Sequence, residues 1–261
     1  MTLDRPEVLN ALTHDMVTTM QLQLDRWRGD AGVHVVEPDS VLAMPEIAIG
    51  LPPGSGTTYL LARAPGRVGA HLALTGDRMD AADALYCGFA DSCVPTRDRS
   101  TLLDALADST VDDALDLLDA APLPESELRG QRPWIDACYA ADRVEDVVHL
   151  LSASGNAQAR AAATRLSELP PTAFKVVFRS SRDAQSDASV AETLRREFRV
   201  ATRLVVGHDV QKGIRATVID RDGVPTWAPS TLAAVSADEV DAYVAPLGPH
   251  ELDVTDASPG S

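Results

Sequence analysis

The residues best suited to chemistry lie in one stretch, Val41 to Tyr59, which reads VLAMPEIAIGLPPGSGTTY. A single carboxylate, Glu46, stands there among apolar neighbours, ahead of Gly50, Gly54 and Gly56. A carboxylate in an apolar loop suits acid–base or nucleophilic work, because burial disfavours its charged form and raises its pKa. Taken without context, a glutamate is more often a solvated surface residue. Pro45, Pro52 and Pro53 with the glycines prevent one regular element, so the stretch is expected to be a shaped loop. The glycines lack the Gly-Lys-Ser/Thr ending of a phosphate-cradling P-loop. Ser55 sits in Gly-Ser-Gly rather than in a Gly-x-Ser-x-Gly elbow, and no histidine follows at a recognisable place.

Other reactive side chains form no pattern. His14, His34, His71, His149 and His250 are scattered, and His208 in Gly-His-Asp reads as a turn or helix-end residue, so no metal is expected. Cys87, Cys93 and Cys138 are an odd set without paired-ligand spacing, which argues against a disulfide framework and a structural zinc. Cys87 and Cys93 read as small buried hydrophobes. Arg63 and Arg67 follow the glycine loop and are in reach of a phosphate, although exposure is the commoner fate of arginine.

The elements that must position Glu46 follow from periodicity. Residues 7–28 show helical spacing (Leu9, Leu12, Met16, Met20, Leu24, Trp27), with the Met16/Met20 stripe facing a core. Val33 to Val36 reads as a short strand, 37–40 as a turn, and 63–74 as a helix interrupted at Pro65-Gly66. Another helix starts at Asp80, and a strand-like piece ends at Val94-Pro95. Residues 99–120 read as a helix with an acidic face, 121–133 as a proline loop, and 134–168 as two helices. Further helices are expected from Pro170-Pro171, over 188–206 and over 236–243, with a disordered polar tail from Pro249. Trp227 between Pro225 and Pro229 is expected to anchor the last segment against the body.

Length and charge set the outer limits. The chain has 261 residues, 45% hydrophobic, and a formal net charge of −16. That charge weighs against nucleic acid, which needs clustered cations. No run of about 18 apolar residues is present and the chain opens without a signal-peptide pattern, so a soluble cytoplasmic protein without membrane contact is expected. Lysine is confined to Lys175 and Lys212 while alanine and arginine abound, a composition of the kind GC-rich bacterial genomes produce.

Three segments, in order, resemble the crotonase (enoyl-CoA hydratase/isomerase) superfamily. Leu3-Asp4-Arg5-Pro6 through Asn10-Ala11-Leu12 is similar to its opening strand and helix. Met44-Pro45-Glu46 through Gly50-Leu51-Pro52-Pro53-Gly54-Ser55-Gly56 resembles its Pro-Glu-x-x-x-Gly-Leu-x-Pro loop. Leu74-Thr75-Gly76 with Ala82-Asp83-Ala84 and Gly88 resembles the stretch that follows it. Pro171-Thr172 with Lys175, Glu197-Phe198-Arg199, Gly207-His208-Asp209, Gly213-Ile214-Arg215-Ala216 and Pro225-Thr226-Trp227-Ala228-Pro229 resemble the 3-hydroxyisobutyryl-CoA hydrolase-like branch.

The resemblance implies an α/β fold: a crotonase-like (ClpP/crotonase spiral) core over 1–98, a helical C-terminal region over 99–248, and a tail over 249–261. It also implies that the core is truncated, lacking several dozen family residues near Gly32 to His34, including two backbone N–H donors for a thioester oxyanion. One such donor is typically worth about 3–4 kcal/mol. By the same resemblance Glu46 is the catalytic residue, nucleophile or base, and Gly50, Leu51, Pro53, Gly54 and Gly56 shape the substrate pocket. The implied reaction is hydrolysis of an acyl-CoA thioester, as in valine breakdown, with CoA entering as part of the substrate, no other cofactor, and homo-oligomers open. The hydrolase branch carries an aspartate where this chain has Gly54, and the Pro-Gly-x-Gly form resembles hydratases. Enoyl-CoA hydration or isomerisation is therefore an alternative, and a non-catalytic truncated paralogue is another.

Overall fold

The computed structural model describes residues 34–118 and 122–254. The Leu3–Leu12 motif, the helix over 7–28 and the join at Gly32-Val33 lie outside the described residues. Strands β1 (Val35–Val36) and β2 (Ser92–Cys93) pair in parallel, Val35 opposite Ser92 and Val36 opposite Cys93. Leu42 and Met79 form an isolated antiparallel bridge through bonds of 2.9 and 2.8 Å.

The rest is helical. A 3-10 turn (Pro45–Ile49) leads into the glycine loop and then α1 (Thr57–Arg63), α2 (Val68–Thr75) and α3 (Ala81–Cys87). After β2 come α4 (Arg99–Ala105), α5 (Val111–Asp116), α6 (Glu127–Tyr139), α7 (Val144–Ala153), α8 (Ala157–Ser167) and α9 (Pro171–Asp183). The series closes with α10 (Val190–Val205), α11 (His208–Ile214), which runs into a π turn (Arg215–Ile219), and α12 (Ala237–Val244). Six of these starts carry a side-chain cap that accepts a backbone N–H, from Asp80, Thr110, Ser126, Asn156, Ser189 and Ser236.

Apolar burial organises the helices around α2, where Val68, Leu72, Ala73 and Leu74 are fully enclosed. A helix that is apolar on all sides belongs in a core rather than at a surface. One contiguous apolar cluster runs from Met44 through Phe174 to Val240, crossing the boundary expected near residue 98. A satellite of Val94, Leu102 and Ala114 lies under α4 and α5. Cys87, Cys93 and Cys138 are all buried and free, and burial pushes the Cys87 thiol up to about 12.

Four expectations change. Residues 99–116 form two helices, because Thr110 caps a new one by accepting from Asp113 N–H. The proline loop ends at Ser126, and Pro133 lies inside α6. An internal proline removes a ladder bond, but Ser126 caps the helix and burial of Leu128, Ile135, Cys138 and Tyr139 holds it. Residues 127–167 accordingly hold three helices rather than two, with a break at 140–143 that no glycine or proline marks. Residues 248–254, assigned above mainly to the tail, fold back onto α10. Glu251 pairs with Arg199 at 3.0 Å, and Arg195 donates to the Val254 carbonyl. Trp227 does anchor its segment, donating from Nε1 to the Glu168 carbonyl at 2.7 Å.

Candidate active site

Pro45 opens the 3-10 turn at a position where its missing N–H is not needed. The turn stops at Gly50, whose left-handed φ of 84° is strained for any residue with a Cβ, and the Gly50 and Leu51 N–H groups close back on the Glu46 carbonyl. Behind the turn, α11 comes to backbone contact: a Cβ on Gly213 would stand 2.6 Å from Ile49 Cα. The turn is thus seated on α11 from one side, with Ile47 in the core.

Glu46 itself is half-buried. Its Oε2 is enclosed and has no hydrogen-bond partner. Burial pushes its carboxyl up, its own backbone N–H works the other way, and the nearby Glu197 charge raises it further. This is the environment that keeps a carboxylic acid protonated to higher pH than usual.

The loop beyond is tied at its far end. Gly56 N–H donates to Glu197 Oε2 at 2.7 Å and Thr58 N–H to Oε1 at 3.0 Å, while Thr58 Oγ1 donates to the Pro53 carbonyl at 3.3 Å. Between loop and α10 lies a mainly apolar cavity of about 250 Å³, walled by Leu51, Pro52, Gly54, Leu194, Phe198 and Leu252. Of the residues singled out in the sequence, Leu51 and Gly54 face this cavity. Gly50, Pro53 and Gly56 are buried behind it as framework, and Glu46 precedes it on the turn without lining it. A Cβ on Gly54 would meet nothing within 4 Å.

Glu197 is the site residue that sequence reasoning passed over except as part of Glu-Phe-Arg. A signal was present, since Thr193, Glu197, Val200 and Leu204 recur at helical spacing on the buried stripe of α10. Arg63 stacks on Tyr59 and donates to the Asp187 carbonyl, and Arg67 donates to Gln185, so both are engaged away from the cavity. His208 opens α11 with its ring 3.1 Å from Asp209. Among the described residues no group of three or more His, Cys, Asp or Glu is placed to hold a metal, and no helix is long and apolar enough to cross a membrane.

The model of the enoyl-CoA hydratase/isomerase family matches residues 30–244. The chain belongs to the enoyl-CoA hydratase/isomerase family. Its fold is accordingly the crotonase-like α/β fold. Among solved structures it is similar to a carnitinyl-CoA dehydratase from Mycobacterium thermoresistibile, with a TM-score of 0.85, 33% identity, and coverage of 94% of this chain and 93% of that one. An enoyl-CoA hydratase from Rhodobacter sphaeroides 2.4.1 gives a TM-score of 0.78 at 36% identity, covering 86% of this chain and 65% of that one. Among curated family members, the mitochondrial 3-hydroxyisobutyryl-CoA hydrolase of Danio rerio is 34% identical over 229 residues, 84% of this chain and 59% of the relative. That of Xenopus laevis is 31% identical over 229 residues with the same coverage. The chain thus spans less than two thirds of the length of the curated relatives it matches.

Proposed function

We propose that the protein hydrolyses an acyl-CoA thioester of the 3-hydroxyisobutyryl-CoA type, with Glu46 as the reacting carboxylate. The observation that carries this reading is the Glu46 carboxyl itself: half-buried, raised in pKa by burial, and with Oε2 enclosed but unpartnered. As a base it would take a proton from water as the water oxygen attacks the thioester carbon. The carbon–sulfur bond then breaks and the proton passes to the departing CoA sulfur. As a nucleophile its oxygen would attack the thioester carbon, and the carbon–sulfur bond would break with CoA leaving as the thiol after taking a proton from water. The hydroxide or a further water would then open the acyl-enzyme anhydride to the free acid and Glu46. The acyl group would rest against Leu51 and Gly54 in the apolar cavity, with Gly50, Pro53 and Gly56 shaping the loop behind them. CoA enters as part of the substrate, and no resident metal or redox group is required by either route. We place the reaction in the cytoplasm and leave a homo-oligomer open.

Hydration or isomerisation of an enoyl-CoA is the second reading. Gly54 favours it, since the hydrolase pattern has an aspartate there. The two separate on one product, because hydration leaves the thioester intact. The test is thiol release from 3-hydroxyisobutyryl-CoA by the purified chain beside a Glu46→Gln variant. Release is expected, and it should fall on the order of 10²–10⁴-fold in the variant. Absence of release from folded wild-type protein would refute hydrolysis, and consumption of an enoyl-CoA would then support the second reading.

A further inference from the structure

The apolar cavity beside the Glu46 loop is walled by three separate parts of the chain. The loop supplies Leu51 and Gly54, and α10 supplies Leu194, Phe198 and Ala201. Of the lining residues only Leu252 belongs to neither. It lies on the segment 247–254, which follows α12 and runs back along α10.

Two neighbouring stripes of α10 divide the work. Leu194, Phe198 and Ala201 recur at helical spacing and border the cavity. Arg195, Arg199 and Arg203, about one turn apart, tie down the returning chain. Arg203 donates to the Tyr243 carbonyl at 3.0 Å and to the Pro246 carbonyl at 3.4 Å. Arg199 Nε meets both Glu251 oxygens at 3.0 Å, and Arg195 donates to the Val254 carbonyl. Glu251 also accepts from Leu247 N–H at 3.1 Å, which closes the turn before it. Leu252 thus has an anchored residue directly before it and another two positions after it. A side chain held from both sides can select by size, whereas one on a free tail would give way.

The cavity suits a small apolar group. Its volume of about 250 Å³ is below the roughly 300–1,000 Å³ of pockets that enclose drug-sized ligands. Glu197, the one carboxylate at its border, is already bonded to the Gly56 and Thr58 N–H groups. A short acyl chain fits such a space, and the phosphates of CoA do not.

We propose that the segment 247–254 closes the acyl cavity and that Leu252 on it determines the length of acyl chain the protein accepts. This rests on the cavity being the acyl site of the proposed reaction. Replacing Leu252 by alanine withdraws three carbons, roughly 90 Å³ at about 30 Å³ per water-sized group, which is about a third of the cavity. One methylene gained or lost in an apolar pocket changes discrimination by about 10- to 200-fold.

The test uses the full chain with Leu252→Ala, Leu252→Phe or Glu251→Gln. Binding of isobutyryl-CoA, hexanoyl-CoA and CoA itself is measured by calorimetry in the Glu46→Gln background, so that the esters survive. Thiol release from 3-hydroxyisobutyryl-CoA and hexanoyl-CoA is followed with Glu46 intact. The preference for hexanoyl over isobutyryl should rise on the order of 10-fold in Leu252→Ala and fall on the order of 10-fold in Leu252→Phe. Glu251→Gln loosens the anchor and should move the preference in the alanine direction by a smaller factor. No shift there would refute the segment as what holds Leu252. A preference unmoved in the Leu252 variants, or a uniform loss for all esters as a merely structural role would give, would overturn the proposal. So would wild-type binding of isobutyryl-CoA no tighter than that of CoA. If Leu252→Phe does not fold, the alanine variant decides alone. Absence of thiol release by wild-type protein, with acyl-dependent binding retained, would instead refute the hydrolase reading and leave Leu252 in its role.

Discussion

Two acidic groups, Asp187 just before α10 and Glu46 on the 3-10 turn, are built in opposite ways. At Asp187, just before the helix, Thr193 Oγ1 donates at 2.6 Å, Arg196 Nη1 donates at 2.6 Å and Arg196 Nη2 meets the second oxygen. Burial pushes that carboxyl up, but the Arg196 and Thr193 bonds outweigh it and hold it below its ordinary value of 3.8. At Glu46 burial acts in the same direction, yet no cation answers it, Oε2 has no donor, and Glu197 adds repulsion, so the carboxyl stays above 4.5. Burial alone therefore does not decide which way a carboxyl shifts. The partners decide. Where every oxygen is answered the carboxyl is held down, and where one is left free burial pushes it up.

The largest effect should come from breaking the satisfied corner. Asp187→Ala strands the Arg196 guanidinium, whose side chain is 13% exposed, without its counter-charge. Loss of one partner of a buried pair typically costs about 3–5 kcal/mol, which is a fall in Tm of roughly 10 °C for a chain of this size. The stabilisation from Asp187 is fully present above its ordinary 3.8 and is lost as pH falls through the lower folded value, so the deficit of the variant should shrink in that acid range. A deficit independent of pH would mean that the pair contributes packing rather than charge.

Glu46→Gln should have the reverse sign. Below pH 4.5 both folded and unfolded chains carry a protonated Glu46 and the variant should match the wild type. As pH rises above that, the unfolded chain ionises freely while the folded chain resists, so the wild type loses stability until its raised folded value is passed. At neutral pH the variant should therefore be more stable by about 1 kcal/mol, or roughly 2–4 °C in Tm, even as it loses activity. Denaturation of both chains from pH 4 to 8 checks this, and a variant less stable at neutral pH would contradict the picture of an unanswered acid.

The smallest change in stability is expected at Gly54→Asp. The position has open space and no left-handed φ, so the cost should stay within about 0.5 kcal/mol. The substitution puts a second carboxylate against the cavity, where the hydrolase pattern has one, and the ratio of thiol release to enoyl-CoA hydration should rise. An unchanged ratio would separate this loop position from the choice of reaction.

Much of this was legible in the residues. Glu46 and its loop stand out because proline and glycine act locally: Pro45 starts a turn, Gly50 ends it, and both effects need only neighbouring atoms. Helices α9, α10 and α12 are readable for the same reason, through Pro171 at a first turn, Ser189 and Ser236 as caps, and apolar spacing between them. The breaks at Thr110 and at 140–143 escaped because a cap of average propensity is decided by what the next helix can bury. Pro133 misled for a related reason, since the local cost of a proline was overridden by four buried side chains of α6.

By itself, then, the sequence determined the family, the candidate carboxylate and the glycine loop around it, because each depends on residue types at short, fixed spacing. Only the tertiary structure decided that Glu197 meets Gly56 and Thr58 from far along the chain, that Gly54 opens onto a cavity while Gly50 does not, and that Glu46 Oε2 is left without a donor. Those are properties of which surfaces meet, and they arise only when apolar burial across the whole core brings α10 and α11 onto the two sides of one loop.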